Sequence, residues 1–309
     1  QVPSLPAPVK MPSQAELHQH FASGHARYRS WCPHCVAAKG RGTPHKSALK
    51  GTDPELPEIG FDYFYLADKK QTGLPNISAK DRQTQSFAGT TLEAKGRNNY
   101  ATSFLTGWVR GLGYKRCIFA SDNEPALLAL LADVSAALPE VEIAPRPSVE
   151  ADHQANGFAE VGVREVKAQT RVLRSHVELC YKRRLSCDEP LFAWMVRHAA
   201  NVINRGRIGS DGKTPEQRRT GKQWRRPTLW FGEQRFFRRA RATTMQGSDA
   251  RMERGVYIGH HERTGATLLL TPDGVARGTG VTQLPHCLLY TSDAADEGLG
   301  VDLGGRRII

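Results

Sequence analysis

Three carboxylates stand out by type and setting: Asp62, Asp122 and Glu160. Asp62 lies inside the apolar run "IGFDYFYLA", where a lone acid is costly unless it is paired or binds a cation. Asp122 ends the apolar run "CIFAS" just before a helix that Pro125 can open. Glu160 follows Gly157 in the first turn of a long helical pattern. The intervals are 59 and then 37 intervening residues. Each acid therefore sits in a strand or at a helix start, and three that converge could hold two divalent cations about 4 Å apart, an arrangement suited to phosphodiester chemistry. Each also has a plainer reading. Asp62 could face water from an edge strand, Asp122 or Asn123 could cap a helix, and Glu160 could simply favour a helix dipole.

A second constellation lies upstream in "HQHFASGHARYRSWCPHC". His20, His25, Cys32 and Cys35 offer two imidazoles and a CxxC pair, a tetrahedral Zn²⁺ set, with His18 and His34 as alternative ligands. The plainer reading is free cysteines near surface histidines. Gly24 is expected to break the helix between the two histidines, which predicts a compact zinc knuckle. The remaining cysteines read as isolated thiols of a reducing compartment.

Cations form two further patterns. Glu160, Arg164, Lys167 and Arg171 recur at i, i+4, i+7 and i+11, so one helix face carries an acid and then a ladder of positive charge. Val163, Val166, Thr170, Leu173 and Val177 mark a different stripe for the core. From 205 to 241 there are 12 Lys or Arg against three acids, a net +9, interleaved with Trp224, Trp230, Phe231, Phe236 and Phe237. That mixture holds phosphates and packs a small domain; alternatively it is a solvated linker face.

The elements that must position these groups follow from pattern. Strands are expected at "FDYFYLA", as a pair between Pro75 and Gly96, at 116–121 and at 141–145. Helices are expected over 100–112, after Pro125, from 157 to about 184, and over 189–204. Short strands with Gly and Asp-Gly turns after Arg254 predict a small β-barrel. The expected class is α/β, a layered core of about 160 residues built of strands followed by helices. The expected organisation is a Pro-rich linker at 1–15, a zinc-binding segment at 16–50, an α/β core at 55–206, a basic linker at 207–228 and the β domain at 229–285. The tail from Cys287, "CLLYTSDAADE" to "VDLGGRRII", reads as translated sequencing adapter over 287–309 and is set aside. The 309 residues carry a net charge of +12, and +14 without that tail, which points to a polyanionic partner. No apolar run approaches membrane-spanning length, so no membrane partner is expected. The chain begins with Gln1 and reads as part of a longer protein.

On these residues the chain resembles the integrases of retroviruses and LTR retrotransposons, the D,D-35-E family with an RNase H-like core. "SDNEPA" resembles the segment of the family's second aspartate, "QANGFAE" its Q-x-G-x-x-E segment, and "FDYFYL" more loosely the strand of the first aspartate. The His/Cys set resembles the family's HHCC zinc module. It departs from it, since the family places some twenty or more residues between the His and Cys pairs and here six intervene.

The resemblance implies a Pol polyprotein origin and a polynucleotidyl transferase and endonuclease. Asp62, Asp122 and Glu160 would be catalytic ligands of Mg²⁺ or Mn²⁺. Arg164, Lys167, Arg171, Gln154 and Asn156 would contact DNA. It also implies homo-oligomers acting on chromosomal DNA in the nucleus after synthesis in the cytoplasm. A cut-and-paste DDE transposase or a decayed nucleic-acid-binding relic are the alternatives.

Overall fold

The computed structural model describes residues 11–39, 56–66, 73–147, 157–226, 229–239, 251–262 and 264–283. The N-terminal segment holds two short helices, α1 (Gln14–Ala22) and α2 (Pro33–Lys39). Ser13 caps α1 in a capping box with Glu16, so residues 13–15 belong to this helix and not to a linker. The core follows as β1 (Glu58–Tyr65), β2 (Pro75–Asp81), β3 (Phe87–Thr91), α3 (Asn99–Arg110), β4 (Arg116–Ser121), α4 (Pro125–Ala136), β5 (Glu142–Pro147), α5 (Gly157–Tyr181) and α6 (Pro190–Gly206). A short helix, α7 (Pro215–Thr220), leads to β6 (Gln234–Arg239), β7 (Glu253–His260), β8 (Thr267–Thr271) and β9 (Gly274–Gln283).

The five core strands form one sheet in the order β3-β2-β1-β4-β5. β1, β2 and β3 are joined antiparallel, while β4 and β5 run parallel to β1. This is the RNase H-like mixed sheet flanked by helices expected from the family resemblance, which goes with an N-terminal zinc knuckle and a C-terminal SH3-like β-barrel. β1 is central, which removes the edge-strand reading of Asp62. Its alternation splits the core between two faces. Ile59, Phe61 and Tyr63 pack with Leu105, Trp108, Leu127 and Val134 of α3 and α4. On the other face Phe64 and Phe87 pack with Val166, Leu173, Met195 and Val196 of α5 and α6. Each such side chain, fully buried, contributes about 1.5–3 kcal/mol. All five residues of the expected α5 stripe, from Val163 to Val177, are buried.

The last four strands close into a barrel, β6-β7-β8-β9, around Phe237, Leu269 and Ala276. Phe231, Ile258 and Leu268 join the α5–α6 cluster, so the barrel is seated on the core. α5 stops at Tyr181, short of 184, because Lys182 turns to a φ of 49°. Arg174 fastens the turn beyond by donating to the Leu185 carbonyl at 2.6 Å. Among the described residues no helix is long and apolar enough to cross a membrane.

Candidate functional site

Strand register brings the two aspartates together. β1 and β4 are parallel, with Glu58 opposite Ile118 and Gly60 opposite Ala120. Two residues further along each chain come Asp62 and Asp122, on neighbouring chains that sheet geometry keeps about 5 Å apart. Gly60 and Asp62 share a face, and that face meets the first turn of α5. A Cβ on Gly60 would lie 3.0 Å from Phe158 Cδ1 and 3.2 Å from Ala159 Cα, so only glycine admits so close an approach. Phe158 is in turn gripped by Lys80 and Arg82, whose charged groups lie 4.6 and 4.2 Å from its ring centre. Glu160, two residues on, thus reaches the carboxyl end of the central strands.

The electrostatics agree. Asp62 is partly buried, and its carboxyl is pushed up to about 6, first by burial and then by the negative charges of Asp122 and Glu160. Lys167 opposes that shift from the same α5 face. Asp122 does not cap α4, and neither does Asn123. The N-cap is Glu124, which makes no side-chain capping bond and instead pairs with Lys95 at 2.7 Å. Asp122 Oδ1 accepts a long bond, 3.3 Å, from the Glu124 amide. Glu160 is exposed. Asp122 and Glu160 are thus near enough for their charges to act on Asp62, although the three acids are not drawn together as tightly as donors around an ion.

The His/Cys set is different. His20, His25, Cys32 and Cys35 are all buried, with one donor atom from each within 4.8 Å of the others. Among the described residues they are the one such cluster of three or more gathered closely enough for an ion. His20 Nε2 and His25 Nδ1 stand 2.9 Å apart, and Cys35 Sγ lies 3.4 and 3.8 Å from them. The chain reverses after α1 through Gly24 and His25, both at positive φ, 64° and 57°. The structure holds two helices around the donors where a compact knuckle was expected, because Pro33 starts α2 directly after Cys32. Burial pushes His20 down to about 4 and His25 to about 2, which keeps both imidazoles neutral as ligands must be. Burial pushes the Cys35 thiol up to about 11, a proton that a bound cation would displace. The donor set and its closure fit a structural zinc ion. Of the alternatives, His34 is engaged with Ser175 Oγ at 2.5 Å and His18 packs on Trp230.

The cations divide. Arg164 and Arg171 are exposed on α5 and have no ion-pair partner among the described residues; Lys167 is half-buried over the Phe64 ring. In the 205–241 stretch most described cations are instead held internally. Arg205 stacks on Trp224 at 3.6 Å, Arg218 pairs with Asp211, Arg219 with Glu216, Arg235 with Glu233 and Arg239 with Glu253. Arg207 reaches Glu165, and Arg226 donates to the Gly265 carbonyl. Several cations of the expected basic linker thus have partners within the protein, while Lys213, Lys222 and Arg225 are exposed. Gln154 and Asn156 lie outside the described residues, as does the 287–309 tail.

Sequence reasoning missed Gln169 and His176, buried on α5 against the His/Cys segment. The signal was there: Gln169, Leu173, His176 and Cys180 recur at i, i+4, i+7 and i+11, a stripe too polar for an ordinary core.

No family model and no curated protein sequence matches the chain. Among solved structures, it is similar to a chain of the simian T-cell lymphotropic virus intasome in complex with the PP2A regulatory subunit B56 gamma. That match has 14% identity over 89% of this chain and 92% of the other, with a TM-score of 0.41. It is also similar to the catalytic core domain of BIV integrase, at 14% identity, 52% and 91% coverage and a TM-score of 0.34. A third similarity is to the HTLV-2 integrase catalytic core domain in complex with magnesium, at 13% identity, 52% and 93% coverage and a TM-score of 0.35.

Proposed function

We propose that this chain is a retroelement integrase, part of a Pol polyprotein, that nicks the 3′ ends of element DNA and joins them to target DNA. The carrying observation is the placement of Asp62 and Asp122 two residues beyond the paired Gly60 and Ala120 of two parallel strands, with Glu160 in the first turn of the helix packed on Gly60, and Asp62 raised to about 6 by burial and then by the charges of Asp122 and Glu160. Bound there, two Mg²⁺ (or Mn²⁺) would supply charge stabilisation for the attacking and leaving oxygens of an in-line phosphoryl displacement. The three carboxylates would hold that charge in place. Arg164, Lys167 and Arg171, one side of the same helix, would hold the phosphates of the reacting strand. In the first step water displaces a 3′-oxygen near the element end. In the second the freed 3′-hydroxyl displaces a 3′-oxygen of the target, so the number of phosphodiesters is conserved and no protein–DNA bond forms. The four His/Cys donors would hold one structural Zn²⁺. Work on two DNA segments at once favours a homo-oligomer, and chromosomal target DNA places the act in the nucleus.

The test is a strand-transfer assay with a labelled duplex bearing a free 3′-hydroxyl, a plasmid target and Mg²⁺ or Mn²⁺. Joined product from the wild-type chain, absent from Asp122→Asn, is expected. Salt-sensitive DNA binding without product under either metal would sink the enzyme reading and leave a nucleic-acid-binding relic.

A further inference from the structure

Residues 11–39 have no core of their own. Their buried members are Gly24 and the four donors, His20, His25, Cys32 and Cys35. Two short helices and a metal site this small need a surface to lean on. That surface is the middle of α5. Gln169, almost fully buried, donates through Nε2 to the Gly24 carbonyl and accepts through Oε1 from Lys39 Nζ, both at 2.5 Å. The same Lys39 ammonium donates to the His25 carbonyl at 2.8 Å. One side chain of the core helix and one of α2 therefore clasp the Gly24–His25 turn. A Cβ on Gly24 would sit 3.0 Å from Val202 of α6, so the turn is pressed into the helix pair.

The ring chemistry extends the contact. His25 turns Nδ1 toward His20, Cys32 and Cys35, so in the neutral ligand its proton sits on Nε2. That Nε2 is buried with no hydrogen-bond partner among the described residues. A metal-bound imidazole ordinarily gives this proton to an acceptor that fixes the ring. His176 of α5 has the complementary defect. Its Nε2 lies 3.7 Å from Cys180 Sγ, which suits a proton on Nε2, and its Nδ1 is then an acceptor, buried and unpartnered. The two rings stand edge to face with centres 5.4 Å apart, and Phe21 closes the space at 5.2 Å from each. The other nearby imidazole, His34, already has its Nδ1 on Ser175.

We propose that α5 completes the His/Cys metal centre: His176 accepts the Nε2 proton of the ligand His25, Gln169 holds the ligand turn, and an ion in the N-terminal segment thereby secures the helix that carries Glu160 in its first turn. His176 and Gln169 are positioning residues, not ligands. The inference rests on the metal reading of the four donors and is independent of any DNA chemistry.

The test uses the full chain and Zn²⁺ itself. Zinc affinity is measured by competition with a chromophoric chelator for the wild type, His176→Phe and His176→Gln. Phenylalanine keeps the ring packing against Phe21 and removes the acceptor; glutamine restores one. His176→Phe is expected to weaken binding 10- to 100-fold, the usual cost of losing such a partner, and His176→Gln to recover most of it. In parallel, hydrogen exchange of the wild type is followed with and without chelator. Loss of protection over residues 165–177 on zinc removal, with β2 and β4 unchanged, is expected. This second readout needs no variant and stands if His176→Phe fails to fold. A wild type that binds no zinc overturns the metal reading and this proposal together. Zinc bound equally well by His176→Phe, glutamine no better than phenylalanine, or α5 protection indifferent to zinc would overturn this proposal alone.

Discussion

The molecule has two groups of candidate ligating side chains, and they contrast in burial and in spread along the chain. The His/Cys donors are buried, neutral as they stand, and gathered within 4.8 Å by a turn, a short helix and the flank of α5. The carboxylates are partly or fully open to solvent, and Asp62 is pushed up to about 6 by its burial and then by the negative charges of Asp122 and Glu160. A closed set of soft donors suits a permanent structural ion, whereas an open set of hard oxygens suits ions that must also touch a substrate. The contrast has a sequence counterpart. The closed site draws on residues 20 to 35, while the open one needs three elements 98 positions apart from first to last.

The largest effect expected from this contrast is on chemistry. Asp122→Asn should lower strand transfer by more than about a thousandfold, the scale of losing one of a group of residues that act as a unit, while zinc content and DNA binding stay at the wild-type level. Parallel loss of zinc would mean that the two sites are not separable. Next is stability. Cys32→Ser should empty the closed site and cost about 3 kcal/mol of unfolding free energy, as losses of a structural metal do. Denaturation of the full chain with and without chelator measures it, and a chelator-insensitive wild type would contradict a structural role.

A smaller effect separates the open site by pH. Asp62 takes up its proton more readily in the folded protein, at about 6, than its ordinary value of 3.8. The folded state therefore binds more protons between those two values. Stability from this group is present below pH 4, falls as pH rises through 6, and is gone above it. Asp62→Asn should accordingly stabilise the metal-free protein at pH 7.5 by about 1 kcal/mol, allowing for solvent screening, and hardly at all at pH 4. Mg²⁺ should erase the difference, and its affinity for the wild type should climb through pH 6. Equal stability of the two proteins at both pH values would mean that the three charges do not interact.

The smallest effect compares the two basic regions. Arg164 and Lys167 together should contribute about two units to the salt slope of DNA binding, one per phosphate contact. Arg218→Ala with Arg219→Ala, which removes cations already paired to Asp211 and Glu216, should change that slope by less than half a unit while lowering stability slightly. Equal slopes for the two double variants would dissolve the distinction between a DNA-facing helix and a packing segment.

Much of this was legible along the chain because it depends on short-range rules. The i, i+4, i+7 spacing of α5 separates its buried stripe from its cationic one whatever it packs against. Pro125 and Pro190 open their helices because a proline there loses no helical hydrogen bond. Only tertiary structure decided the rest. Strand order is a matter of long-range pairing, and placing β1 in the centre of the sheet is what turned Asp62 from a possible surface residue into a neighbour of Asp122. The 12 cations of residues 205–241 look alike in sequence, yet Trp224, Asp211 and Glu233 bind several of them internally, since the nearest counter-charge or ring is set by packing. His176 reads as one more polar helix residue until α5 is laid against the Gly24–His25 turn. Residue types and periodicity determined which chemistry was available; the meeting of distant segments, driven by burial of their apolar faces, decided which groups would carry it.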